Sequence, residues 1–342
     1  MVISDDTQLT SLPFQLIEFG DEVIIRRGDV QVFVKGESSL ETVLLILTMT
    51  SGKSASQSEI LSSFSAIRHS DILGLLDELL GKRILIPTKE QSVDPDLESP
   101  EDIYFWQNNS SKKELQQLVS NQPIWLTGNN LLSHGIANGL SNCGINIQGI
   151  IDDPILNTPD ITDSDCYKIY TQEEFYKLAL TDITIIGCSP FGGQALLLEW
   201  NKWCVKYRNY FLPVLIEGRF GLAGPMVIPH VGPCLNCLRQ RQNAHHQDHH
   251  LHRHFERSAH TGQSISAVHP TMISVMSDLV SMQIVRFYSK INQGFYKRLL
   301  KFDFGEMTLS NSNILKVPRC NVCSNFNQTS EASPIKLSGA SD

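Results

Sequence analysis

The strongest constraint on this chain is a pair of C-x-x-C knuckles set far apart in sequence, Cys234/Cys237 and Cys320/Cys323. Each knuckle turns two sulfurs to one side, and two of them complete a tetrahedral shell for a soft divalent cation. Proline precedes both, in Gly232-Pro233-Cys234-Leu235-Asn236-Cys237 and in Pro318-Arg319-Cys320-Asn321-Val322-Cys323. Four thiolates leave no position for water or substrate, so the spacing predicts one structural zinc ion per chain. Any fold must therefore close the C-terminal half on itself. The other cysteines, Cys143, Cys166, Cys188 and Cys204, are scattered singly and read as small buried hydrophobes in a reducing compartment.

The remaining totals narrow the class. A length of 342 residues with 41% hydrophobic content suits two or three domains that each bury a core. No window approaches the roughly 20 apolar residues of a membrane span, and the start lacks a signal-peptide plan. A cytoplasmic location is expected, with no membrane partner. The net charge of −8 argues against a nucleic-acid partner, which would call for a basic face.

Along the chain, residues 1–90 read as one unit. Leu16 to Phe19, Val23 to Ile25 and Val30 to Val34 alternate across Gly20-Asp21 and Gly28-Asp29, which predicts a three-stranded antiparallel sheet. Leu40, Val43, Leu44 and Leu47 share a helical face, a short helix spans Ser58 to Phe64, and Ser70 is placed to cap a third helix. That helix carries Ile72, Leu75, Leu76, Leu79 and Leu80, and Ile84 to Ile86 can return as an edge strand. The arrangement is that of a winged helix. Residues 91–122 are expected to be a linker, acidic and proline-containing from Asp94 to Asp102, with Ile103 to Trp106 docking on a neighbour.

From 123 to 326 the pattern changes to alternating strands and helices. Pro123 to Thr127, Ile145 to Ile151, Asp182 to Gly187 and Pro213 to Glu217 read as strands, with helices at Leu131 to Leu140, Gln194 to Lys206 and Thr271 to Tyr288. This predicts an α/β fold, a Rossmann-like parallel sheet with helices on both faces. A nucleotide turn of that fold needs glycines after the first strand and an acid after the second. Here Gly128 fills the first position, Asn130 and Ser133 stand where further glycines belong, and Asp152 and Asp153 end the second strand. The aspartates can meet a ribose or simply cap a loop. His245 to His254 holds a run of histidines that could take a second metal, sense pH or form a solvated loop. Residues 327–342 read as a flexible tail.

The succession Gly149-Ile150-Ile151-Asp152-Asp153, Thr184-Ile185-Ile186-Gly187-Cys188, Pro213-Val214-Leu215, Gly224-Pro225-Met226-Val227 and both cysteine knuckles resembles the E1-like (ThiF-type) superfamily. Within it the chain is most similar to the E1-like cyclodehydratase partner proteins of thiazole/oxazole-modified peptide (RiPP, bacteriocin-type) biosynthesis, over about Pro123 to Cys323. Residues 1–90 resemble their N-terminal winged-helix peptide-recognition element. Adenylating relatives carry a glycine-rich loop and basic residues after the acidic strand end. Here Asp153 is followed by Pro-Ile-Leu-Asn-Thr-Pro-Asp, with no arginine or lysine until Lys168, so ATP use by this chain is not expected.

The resemblance implies a protein that binds the leader segment of a ribosomal precursor peptide and activates a YcaO-type cyclodehydratase, which installs azoline rings. Only a Ser-rich tail follows Cys323, so that enzyme is expected to be a second polypeptide. A second copy of the chain is a further candidate partner. In the resembled modules the leader lies between the third strand and the third helix. On this chain that implies Val30 to Lys35 and Ser70 to Leu80, with Val30, Val32, Val34, Leu73 and Leu76 as groove residues, and Arg26, Arg27 and Lys35 available to acidic leader residues. Two other classes compete. One is an E1-like ATP-dependent adenylating enzyme acting on a peptide or small carboxylate. The other, a metal-sensing winged-helix regulator, is opposed by the acidic third helix, with Asp71, Asp77 and Glu78 against Lys82 and Arg83.

Overall fold

The computed structural model describes residues 6–88 apart from 21 and 37, 100–158 apart from 109, 167–244, 254, 267–291 and 296–324. It divides into two compact units, Met1–Leu115 and Gln116–Asp342. The run of residues 245–253 and the tail lie outside the described residues.

In the first unit, strands β2 (Gln15–Phe19), β3 (Glu22–Arg27) and β4 (Val30–Lys35) form the antiparallel meander that the alternation predicts. Strand β1 (Gln8–Ser11) is an addition. It sits between β5 (Ala55–Ser56) and β6 (Leu85–Pro87) in a second small sheet, so the return strand near Ile84 to Ile86 joins β1 and not the meander. Helices α1 (Ser39–Thr50), α2 (Gln57–Ser62) and α3 (His69–Gly81) supply the other wall of the core. Val43, Ile46 and Leu47 from α1, Ile72, Leu76 and Leu79 from α3, and Val23, Ile25 and Val32 from the sheet form one buried cluster.

Local chemistry sets the helix starts. Ser56 and Glu59 close a capping box on α2, the Ser56 hydroxyl accepting the Glu59 amide at 3.2 Å and the Glu59 carboxylate accepting the Ser56 amide at 2.7 Å. Ser70 does not cap α3. A 3₁₀ turn at Ala66–Arg68 runs straight into the helix, which starts at His69 and leaves Ser70 inside its first turn. Helix α4 (Pro100–Gln107) begins within the acidic segment expected to be linker, and its Trp106 packs on Leu12 and Ile86 of the first unit. A fifth helix, α5, spans Lys112–Asn121.

The second unit is built on an eight-stranded sheet. Its elements in order are β7 (Ile124–Thr127), α6 (Leu131–Asn142), β8 (Gly149–Asp152), β9 (Ile169–Thr171), α7 (Gln172–Lys177), β10 (Thr184–Ser189), α8 (Leu198–Lys206), β11 (Tyr210–Glu217), β12 (Phe220–Ala223), α9 (Leu235–Asn243), α10 (Pro270–Tyr288), β13 (Arg298–Asp303) and β14 (Thr308–Asn313). The strand order is β14-β13-β12-β11-β10-β7-β8-β9. The stretch from β11 to β9 is parallel, as the alternation predicts. The antiparallel extension β12-β13-β14 is not foreseen by the sequence pattern. Gly218, at φ 57°, reverses the chain between Glu217 and Phe220, and that two-residue turn converts a parallel sheet into a mixed one.

Helices α6 and α10 share one face of the sheet and touch along small residues. A Cβ on Gly135 would lie 2.4 Å from Ser277 Oγ, and one on Gly139 would lie 2.5 Å from Ser281 Oγ. At the far end of α10, the buried Tyr288 hydroxyl lies 2.6 Å from Thr184 Oγ1 and donates to the Gln122 carbonyl at 3.2 Å. Gly139→Leu should therefore force the two helices apart and cost about 2 to 3 kcal/mol of unfolding free energy, read as a lower urea midpoint at unchanged slope.

Candidate functional site

The four knuckle cysteines converge. Sγ of Cys234 is 3.9 Å from that of Cys237 and 3.7 Å from that of Cys320, Cys237 Sγ is 3.5 Å from Cys323 Sγ, and all four sulfurs lie within 4.8 Å of one another. A tetrahedron with metal–sulfur bonds of about 2.3 Å has edges of about 3.8 Å, whereas a disulfide would be about 2.05 Å. The spacing is that of a metal shell, and all four cysteines are free thiols. Cys234, Cys237 and Cys320 are fully buried and Cys323 is 4% exposed, so no solvent path reaches the centre of the cluster. The donor set fits a closed, soft-ligand site for a metal such as zinc.

Each knuckle is held by hydrogen bonds the sequence pattern does not reveal. Cys234 caps α9, and its carbonyl accepts the amides of Cys237 at 2.9 Å and Leu238 at 3.3 Å. Asn201 on α8 accepts the Leu235 amide at 3.0 Å, fixing where that helix begins. From α9, Arg241 Nε donates to the Leu315 carbonyl at 2.7 Å and positions the approach to the second knuckle. Asn236 Nδ2 donates to Asn321 Oδ1 at 2.7 Å and to Cys320 Sγ at 3.4 Å, and the Val317 amide donates to Cys237 Sγ at 3.4 Å. Such outer-shell donors orient thiolates and stabilise their charge. An asparagine inside each C-x-x-C was the available signal.

Hydrogen bonds from the Cys234 and Cys323 thiols hold the Cys237 thiol far below its ordinary range, and the same Cys234–Cys237 bond pushes Cys234 up. A divalent cation held by Cys234, Cys237, Cys320 and Cys323 would favour the ionised form of all four sulfurs.

The Gly128 turn is internally filled. Asn130 is fully buried at the N-cap of α6, where its Oδ1 accepts the Ser133 amide at 3.0 Å and its Nδ2 donates to the carbonyls of Leu156 at 2.8 Å and Cys188 at 3.0 Å. Ser133 Oγ accepts the Asn130 amide at 3.2 Å, and Asn157 Oδ1 accepts the Asn129 amide at 2.7 Å. A Cβ on Gly128 would meet Leu156 at 2.8 Å, so the segment after β8 occupies the space above the turn. Asp153 accepts the Trp200 indole N–H at 2.7 Å and the Ile155 amide at 2.9 Å, while Asp152 accepts from Asn157. Both aspartates thus serve the chain's own loop. Asn157 and Trp200 are the residues that sequence reasoning missed here.

The residues expected to meet a leader divide. Val32 and Leu76 are 0% and 1% exposed and belong to the core, as a groove wall could not. Val30 and Val34 pack partly against the same core, while Leu73 is half-buried outside that cluster. Arg27 is also buried, its guanidinium donating to the carbonyls of Arg83 and, at 3.3 Å, Lys82; it ties β3 to the end of α3 and is not available to a peptide. Arg26 and Lys35 are exposed, Lys35 pairing with Glu22 at 2.5 Å.

Protein purified without chelator is expected to hold about one tetrahedral metal ion per chain, and cobalt exchanged into it should show the intense thiolate-to-metal absorption of a four-sulfur site. In Cys234→Ser plus Cys320→Ser both should disappear and the thermal midpoint should fall; retention of metal at full stoichiometry would contradict the assignment.

The sequence matches no family model and no curated protein. Solved structures are similar over 93% of this chain. They include heterocyclase TruD, at 15% identity and a TM-score of 0.62 over 43% of its length, and a heterocyclase in complex with substrate and cofactor, at 14% and 0.59 over 39%. MccB of E. coli with ATP is similar at 13% identity and a TM-score of 0.64 over 100% of its length. The chain thus spans less than half of the two heterocyclases and all of MccB. At these identities the likeness shows the fold alone: a mixed α/β protein with a large mixed sheet, folded like MccB.

Proposed function

We propose that this chain is a leader-peptide-binding scaffold that activates a separate YcaO-type cyclodehydratase, the enzyme that installs azoline rings in a ribosomal precursor peptide. In this account the first unit acts as a winged-helix recognition element, one zinc ion holds the second unit closed, and the complex works in the cytoplasm.

The outer edge of β4 is the observation that carries the proposal. Strand β4 ends its sheet, with no further strand beside it among the described residues. Arg27 and Val30 flank a two-residue turn, and in such a hairpin the flanking pair exchanges both hydrogen bonds. The pairs Ile25–Val32 and Val23–Val34 then do the same, so the amides of Gln31, Phe33 and Lys35 point away from β3. An extended peptide can add there as a further strand. A proline at Val32 would break the β3–β4 ladder itself; the informative position is Phe33, whose side chain is 52% exposed.

Two features support a non-adenylating role. The turn at Gly128 spends its amides on Asn157, Ser133 and the Ile151 carbonyl, and the acids that would face a ribose are engaged by Asn157 and Trp200. The heterocyclase TruD, and a heterocyclase in complex with substrate and cofactor, share this fold. The adenylating alternative draws on MccB with ATP, whose whole length this chain spans.

The full chain should bind its cognate leader in the micromolar range or tighter, about 8 kcal/mol. Phe33→Pro should weaken that binding at least about tenfold, having removed an edge donor, while Glu18→Pro on the opposite edge strand leaves it unchanged. Titration calorimetry reads both. Equal binding by the two proline variants would move the leader site elsewhere. For the chain alone, ATP–pyrophosphate exchange should stay at background with any carboxylate or peptide; exchange that Asp152→Ala abolishes would establish adenylation instead.

A further inference from the structure

The register of the β2-β3-β4 sheet assigns every side chain to a face. Residues directly opposite each other share one, so the outer face carries three cross-strand rows: Gln15–Arg26–Gln31, Ile17–Ile24–Phe33 and Phe19–Glu22–Lys35. The other face, with Leu16, Ile25, Val32 and Val34, belongs to the core. The middle outer row is wholly apolar, and its last member, Phe33, is 52% exposed; Phe19 at the corner is 73% exposed. A solvated sheet face normally alternates to polar residues, so a continuous apolar row ending in an exposed aromatic at a free edge marks a contact surface.

We infer that this outer face, and not the groove beside α3, reads the side chains of the bound leader, and that it selects an acidic residue two positions from a bulky apolar one. The inference rests on the peptide-binding role proposed above. A strand added to the β4 edge extends each row by one residue. The residue beside Phe33 completes the apolar row, and the residue beside Lys35 meets an ammonium whose side chain is 72% exposed although it already pairs with Glu22. These two peptide positions are separated by one residue that lies beside Val34 and points to the core face, where Val34 already packs against the core cluster. The residue beside Gln31 meets an exposed amide, with Arg26 next in that row, so a second acid is accepted there as well. Either strand direction keeps the spacing and only inverts its order.

A random short-peptide display library panned on the immobilised full chain tests this without knowledge of the natural precursor. Enriched peptides should carry Asp or Glu two positions from Phe, Tyr, Leu, Ile or Val. Panning on the charge-swapped variant Glu22→Lys plus Lys35→Glu, which keeps the intrasheet pair, should replace the acid by Lys or Arg. Phe33→Ala should erase the apolar preference. Single peptides from the first panning should lose about two- to fivefold in affinity on the swapped variant, the size of one cross-strand pair. Circular dichroism confirms that each variant is folded. Peptides that lose binding to Phe33→Pro yet show no such spacing, or ignore the charge swap, would overturn the outer-face inference while leaving edge binding intact. Peptides indifferent to Phe33→Pro, or no enrichment at all, would overturn both.

Discussion

The second unit depends on four sulfurs. The chain leaves the parallel sheet at Glu217, turns back through β12, runs across α9 and α10, and returns through β13 and β14 before its second knuckle. That return leg is poorly secured by burial. Every residue of β14 is exposed, and β13 keeps only Leu299 and Leu300 buried. The Cys234–Cys237–Cys320–Cys323 cluster fastens the end of this leg to the start of α9, and Asn236, Arg241 and the Val317 amide cross the same junction. A metal held there contributes folding free energy directly, because the unfolded chain has no preformed site for it.

The crevice at the ends of the parallel strands is where an open α/β sheet ordinarily takes a nucleotide. Here the chain has put its own atoms there. Asn130 stands where a nucleotide turn has a glycine, and its amide group bridges from the α6 cap to one carbonyl after β8 and one within β10. His134 supports the same turn, its Nε2 lying 2.7 Å from Asn129 Oδ1, and burial lowers its pKa, favouring the neutral ring. Such a network makes the turn rigid, and a phosphate would have to displace it. The same economy shapes the first unit, where Arg27 spends its charge on the carbonyls that end α3.

How much of this was legible follows from how local each signal is. The two C-x-x-C pairs announce their partners because a thiolate knuckle has one main use, and the alternation in β2, β3 and β4 and from β7 to β11 reflects faces that are buried in sequence order. Strand β14 was invisible because Thr308 to Asn313 is polar on both faces and reads as a loop. Strands β1 and β5 are too short to show a period. An apolar residue such as Val32 on an edge strand, or Leu76 on a helix, looks the same in sequence whether it faces the core or a ligand. For the strand residues only the hairpin register separates the two cases, and it also places the outward-pointing amides at Gln31, Phe33 and Lys35. The roles of Asn157, Trp200 and Asn201 depend on contacts across 28, 47 and 34 residues, which no short window contains.

The central claim is that a metal at the four sulfurs holds the extended half of the large sheet in place. Amide hydrogen exchange on the full chain, before and after removal of metal by a strong chelator, tests it at the level of single elements. The account predicts that α9, β13 and β14 lose protection together on metal removal, while β7 and β10, buried in the parallel core, keep theirs. Unchanged protection in β13 and β14 after the metal is demonstrably gone would contradict it.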